Sequence, residues 1–178
     1  MMQEEARLFG AGFFVFRPTS CTMKGMNIYL AGPLFTLAER RFNEELSAEM
    51  QRLCPTLDIF FPQCCDKQFQ GLPDFAQRVF QCLMEALDRC DAVVAILDGA
   101  DADSGTCIEI GHARAKGKPV IGVRTDFRDG EVHGVNVMAA GVCSAMVKLP
   151  STANSIKQVA ERIVRAINDV ASNEYRHS

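Results

Sequence analysis

The run DAVVAIL, residues 91–97, limits the possible folds of this chain more than any other segment. After the aspartate, every residue from Ala92 to Leu97 is apolar. Successive side chains of a strand point to opposite faces, so a half-exposed strand would alternate. An unbroken run requires cover on both faces, which is the condition of a parallel sheet between helical layers.

The rest of the chain supplies the partners. NIYLA (27–31), LDIFF (57–61), KPVIGVR (118–124) and AMVKL (145–149) read as further strands, with Gly32-Pro33 and Pro62 ending the first two. Thr36-x-x-Glu39 forms a capping box, and Phe42, Leu46, Met50 and Leu53 recur at helical spacing, so 37–53 reads as a helix. A loop is expected over 62–72. A helix over 74–89 would turn Phe75, Val79, Leu83, Ala86 and Leu87 inward. Further helices are expected near 106–116 (stopped by Gly117), 136–141 and 152–170. Residues 1–25 look like an irregular N-terminal extension, and 26–172 like one domain. Repeated strand–helix alternation gives an α/β fold: a five-stranded parallel sheet in a flavodoxin-like (Rossmann-like) three-layer sandwich, order 2-1-3-4-5. Such folds bind ligands outside the carboxyl ends of the strands, where the chain reverses between strands 1 and 3. The loops there are AGPLF (31–35) and DGADADSGT (98–106).

With 178 residues, 48% apolar and 23% charged, the chain suits one core. A net charge of −3 offers no basic field for nucleic acid or an anionic membrane. The run FGAGFFVF (9–16) is too short to span a bilayer and lacks the features of a secretory signal. Eight cysteines contain no C-x-x-C pair, so they read as reduced, cytosolic thiols serving mostly as small core residues. Cys64 and Cys65 read as two loop thiols, with a redox-active pair as the alternative.

The acidic loop carries Asp98, Asp101 and Asp103, with Glu109 on the helix that follows. It is not an EF-hand, since Ala100 and Asp103 occupy the third and the glycine positions. His112 has no second ligand at zinc spacing, and no G-K-[ST] run is present. No metal or cofactor is expected. Two readings stand side by side. In one, Thr106-x-x-Glu109 is a capping box and Asp103 and Ser104 are cap and turn residues. In the other, the helix start keeps Glu109 ionised as a nucleophile while Asp103 or Asp98 holds a proton. An ionised and a protonated carboxyl together are what glycosidic cleavage needs.

YLAGPLF (29–35), DADSGTCIEIGHA (101–113), AKGKPVIG (115–122) and VNVM (135–138) together resemble the nucleoside 2-deoxyribosyltransferases over most of 26–148. The resemblance implies cleavage of the N-glycosidic bond of a 2′-deoxynucleoside through a deoxyribosylated glutamate, with the sugar passed to another nucleobase. Nucleosides and nucleobases would be the partners. Glu109 matches the nucleophile and Asp103 the acid that contacts the base. Tyr29 matches the residue that orients the nucleophile, and Phe35 an aromatic that packs on the base. Gly32, Asp98 and Gly105 fall within the matched loops. Asn136 and Met138 match residues lent to a neighbouring subunit, which implies a homo-oligomer, a dimer or larger. Leu83 departs from the family, which often has an aspartate there; Asp98 or Glu85 would have to compensate. The related deoxynucleoside 5′-monophosphate N-glycosidases pass the sugar to water and bind a phosphate at the first loop. Here that loop has no Ser or Arg before Arg40, although Arg124 and Arg128 are alternatives. A non-catalytic nucleotide-binding module is the third possibility.

Overall fold

The computed structural model describes residues 25–128, 134–149 and 155–174. The expected N-terminal extension therefore lies, Gly25 apart, outside the described residues, as do Asp129, Gly130 and the expected start of the closing helix. The order of elements is β1 (Met26–Ala31), α1 (Leu37–Leu53), β2 (Leu57–Phe60), α2 (Gln63–Phe69), α3 (Phe75–Arg89), β3 (Ala92–Ile96), α4 (Ser104–Ala115), β4 (Val120–Arg124), α5 (Val137–Val142), β5 (Ala145–Lys148) and α6 (Ile156–Glu174). All strand pairs are parallel, in the order β2-β1-β3-β4-β5. This is the architecture and the strand order the alternation predicts.

Alternation along each strand sorts the core into two layers. Ile28 and Leu30 of β1 and Val94 and Ile96 of β3 pack with Leu46 and Met50 of α1 and Ile163 and Ile167 of α6. The neighbouring positions Tyr29, Ala31, Val93 and Ala95 face the other way, against Leu87 of α3, Ile110 and Ala113 of α4 and Ala139 of α5. The apolar run Ala92–Leu97 is thus covered on both faces, each of its residues being 3% exposed or less.

Local signals act as expected at α1. Thr36 Oγ1 accepts from the Glu39 amide and Glu39 Oε2 accepts from the Thr36 amide, which closes the capping box. Gly32 follows β1 beside β3; a Cβ there would lie 3.1 Å from Ile96 Cβ, so any larger residue would have to push Ile96 aside by a few tenths of an ångström.

Three expectations need correction. Residues 63–69 form helix α2 and not a loop. In α3 only Ala86 and Leu87 are buried; Val79 and Leu83 are half-buried and Phe75 is exposed, because α2, the element packed beside α3, leaves its first turns partly open. The cysteines are not all reduced. Cys65 of α2 and Cys82 of α3 form a disulfide, and Cys54 is also disulfide-bonded. Packing of α2 on α3 brings the two cysteines, 17 positions apart, within bridging range, a proximity that no local spacing rule reports. The step from free thiols to a reducing compartment therefore loses its basis. Cys64 remains a free, exposed thiol, and Cys90 is a free, buried one.

A bridge closing a loop of this size contributes about 3 kcal/mol through the unfolded chain. Cys82→Ala should lower the urea unfolding free energy by about 2–4 kcal/mol relative to the unreduced wild type. Identical unfolding curves for the two proteins would show that the bridge does not stabilise the fold.

Candidate active site

The site lies at the carboxyl edge of the sheet and begins with strand parity. Tyr29 on β1 points into the layer that holds α4 and is fully buried. It sits opposite Phe60 of β2 in the parallel register, with the two rings 5.4 Å apart and tilted by 31°. Its hydroxyl donates to Glu109 Oε1 of α4 at 2.5 Å. The bond joins residues 80 positions apart and fixes the plane of the carboxylate.

Asp103 is the N-cap of α4. Its Oδ2 accepts from the amide of Thr106 at 2.8 Å and from the Thr106 hydroxyl at 3.1 Å. Gly105 leaves room for that carboxylate: a Cβ there would lie 3.1 Å from Oδ2. The proposed Thr106–Glu109 capping box is therefore not formed. Asp103 caps the helix, Thr106 is buried beneath it, and Glu109 is released to face Tyr29.

Glu109 is the sixth residue of α4, beyond the first turn, so the free amides of the helix start do not decide its charge. Burial does. Its carboxyl is pushed up to about 7, chiefly by desolvation and further by the charge of Asp103, against the opposing pull of the Tyr29 hydrogen bond. This reverses the sequence-based expectation of a carboxylate held ionised by the helix. Burial, and then the Glu109 charge, hold the Tyr29 hydroxyl far above the ordinary tyrosine range, so it remains a donor.

The other expected residues occupy varied positions. Asp98 laces two loops: Oδ1 accepts from the amides of Thr125 at 2.6 Å and Asp126 at 3.1 Å, and Oδ2 from the Thr125 hydroxyl. Phe35 lies in the first loop and is 71% exposed. The Asn136 side-chain oxygen caps α5 by accepting from the Met138 amide at 2.9 Å, and Met138 is 73% exposed. Glu85 points to Arg89 at 3.7 Å, both of them exposed. Arg124 is 1% exposed and so is closed to any phosphate. Arg40, by contrast, folds back from α1 to donate to the carbonyls of Leu34 and Phe35 in the first loop. No cluster of three or more metal-binding side chains occurs among the described residues.

Gln63 escaped the sequence reading because 62–72 looked like plain loop. It follows β2 at the same sheet edge and is 4% exposed. Its Nε2 donates to Glu44 at 2.8 Å, and its Oε1 is buried without a hydrogen-bond partner. An orphaned acceptor of this kind costs about 1–3 kcal/mol unless a ligand supplies a donor. The available signal was its place just after a strand that ends at the switch-point edge.

The family model for nucleoside 2-deoxyribosyltransferase matches residues 28–153. The chain belongs to this family. Among solved structures, a conserved protein of Enterococcus faecalis matches with 27% identity and a TM-score of 0.63, over 79% of this chain and 98% of that one. The 2-deoxyribosyltransferase of Bacillus psychrosaccharolyticus matches with 24% identity and a TM-score of 0.55, over 75% and 90%. A CMP N-glycosidase of Clostridium botulinum shares the fold with 18% identity and a TM-score of 0.51, over 77% and 97%. An uncharacterised protein of Schizosaccharomyces pombe is 31% identical over an alignment of 111 residues that covers 57% of this chain and 51% of that protein. The chain thus spans about half the length of the curated relative it matches. Among the described residues, no helix of this family member is long and apolar enough to cross a membrane.

The raised Glu109 carboxyl has a stability consequence. The folded chain holds this proton more tightly than the unfolded chain, whose ordinary value is 4.5. Glu109 therefore costs nothing below that pH and destabilises progressively as pH rises toward about 7. Glu109→Gln, which keeps an acceptor for Tyr29, should stabilise the fold at pH 8 by up to about 3 kcal/mol and be neutral near pH 4. A stability difference that does not change with pH would contradict this burial.

Proposed function

We propose that this chain cleaves the N-glycosidic bond of 2′-deoxynucleosides and passes the sugar to a second nucleobase. The observation that carries the assignment is the partly buried Glu109 carboxylate, oriented by the Tyr29 hydroxyl at 2.5 Å and electrostatically coupled to Asp103. With Oε1 engaged by Tyr29, Oε2 is the oxygen that attacks C1′. The C1′–N bond breaks, its electron pair goes to the base nitrogen, and Asp103 supplies the proton. A glycosyl ester forms on Glu109. The nitrogen of a second base then attacks C1′, the ester oxygen leaves as carboxylate, and the proton of the incoming base returns to Asp103. The two carboxyls share one proton in this cycle. Burial holds it on Glu109 into the neutral range in the free protein, and it must sit on Asp103 at the moment of attack. The exposed ring of Phe35 supplies a stacking face for a base.

The test is incubation with single deoxynucleosides, with and without a second free base, followed by chromatography and by mass spectrometry of the denatured protein. Exchanged nucleoside and a deoxyribosyl adduct on the peptide carrying Glu109 are expected. Glu109→Ala and Glu109→Gln should abolish both, and kcat/KM should fall as pH rises through about 7, where the carboxyl pair loses the proton it shares. Turnover retained in either variant would overturn the assignment. Arg40, held against the first loop, favours a second reading in which a 5′-monophosphate is hydrolysed. Free base from deoxynucleotides alone, with no exchange, would select it.

The working unit is proposed to be a homo-oligomer whose sites are completed across subunits. Val137, Met138, Ile108 and Phe127 are all large apolar side chains more than half exposed, and they belong to α4, α5 and the loop after β4, the segments around Glu109. Mixing Asn136→Ala with Glu109→Ala protein, each inactive alone, should restore part of the activity. A fully active monomer by light scattering would exclude shared sites.

A further inference from the structure

One charged residue interrupts an apolar strand: Arg124, the last residue of β4, is 1% exposed. Its Nη1 donates to the carbonyl of Leu97 at the end of β3, and its Nη2 pairs with Asp126 Oδ1 at 2.9 Å. Asp126 Oδ2 in turn accepts from the amide of Gly99 at 2.9 Å, while Asp98 accepts from Thr125 and Asp126 in the opposite direction. The β3–β4 ladder ends with the Leu97 amide on Val123 O at 2.9 Å. Beyond it, side chains continue the pairing across the two loops. Gly99 turns the chain at φ +115°, where other residues are strained. Only residues 100–102 then separate this clamp from Asp103.

A buried guanidinium with its Nε unpaired is a poor stabiliser, since an apolar side chain would fill the same space without the desolvation cost. Its planar fork does what no apolar residue can: it holds two acceptors in different directions. We propose that Arg124 is a positioning residue for Asp103. It fixes the first residues of the acidic loop, so that Asp103 is presented at the start of α4 with one oxygen on Thr106 and the other toward the leaving base. It is not a catalytic residue, because its bonds go to Leu97 and Asp126 and none to Glu109 or Asp103. The part that concerns the base rests on the function proposed above; the clamp itself does not.

Arg124→Met and Arg124→Lys test the proposal, the second because it keeps the charge and folds if the first does not. Lysine offers a point donor in place of the fork, so it should not rescue. By hydrogen exchange the Gly99 and Thr106 amides should open at least about 10-fold faster in both folded variants, with the β3 amide of Val94 unchanged. On the working enzyme, kcat should fall about 10–100-fold for ordinary deoxynucleosides at nearly constant KM. A 7-alkylated purine deoxynucleoside, whose cationic base leaves without a proton, should be cleaved almost as fast as by the wild type. Wild-type exchange at Thr106 in a folded variant would overturn the clamp, whether or not the protein is an enzyme. Equal losses on both substrates would overturn the link to Asp103. A wild-type protein that cleaves neither substrate would refute the functional assignment alone and leave the exchange result standing.

Discussion

The contact between the Tyr29 hydroxyl and the Glu109 carboxylate ties the central strand β1 to helix α4, and each level of the fold has to be right for it to exist. Tyr29 must fall on the odd parity of β1, with Ala31, so that it shares a layer with Val93 and Ala95 of β3. A slip of one residue would send it among α1 and α6, where Ile28 and Leu30 now lie. Helix α4 must start at Asp103, because a start three residues later would make Glu109 a capping group and turn it back toward the backbone. Removing Tyr29 from water is what makes a lone hydroxyl effective, since a hydrogen bond to a charged partner strengthens as the surroundings become less polar.

Four carboxylates meet at this edge, and the structure treats each differently. Asp98 is consumed by loop donors, Asp103 gives one oxygen to a helix start, and Asp126 is held by a buried arginine and three further donors, the Gly99 amide and the amide and guanidinium of Arg128. Burial pulls the Asp126 carboxyl up, but the Gly99 and Arg128 hydrogen bonds and the Arg124 charge outweigh it and hold the group below its ordinary value. Glu109 has a single neutral donor and little water, so its proton is retained into the neutral range. The acid with the fewest partners is the one placed to attack.

Fold class was legible because it rests on short-range periodicity. The apolar stretch Ala92–Leu97, the Thr36 box and the Leu46–Met50 spacing each report a local preference that tertiary packing then reinforced. The partnership of Tyr29 with Glu109 was suggested by resemblance; the residue pattern alone left Glu109 open between a helix cap and a nucleophile. What stayed hidden depends on side chains that meet only after folding. The Cys65–Cys82 bridge needs two helices packed together, the unpartnered Gln63 oxygen needs an enclosing wall, and the Arg124 network needs two loops side by side. An arginine closing the strand VIGVR was visible, but its sequence neighbours gave no hint of what it holds.

The strand order has a temporal consequence. β1 lies between β2 and β3, and its pairing with β2 closes a short stretch, whereas β3 lies more than 60 residues on, as the Asn27–Asp91 contact shows. Tyr29 thus emerges during synthesis before its acidic partner, which lies 80 residues further along the chain. Contacts of such sequence separation carry the larger loop-closure cost and form late. An emerging chain can assemble the β2–β1 edge and α1 while the acid still lies in unfolded, hydrated sequence. The desolvation of Glu109 is then deferred until α4 docks against β1.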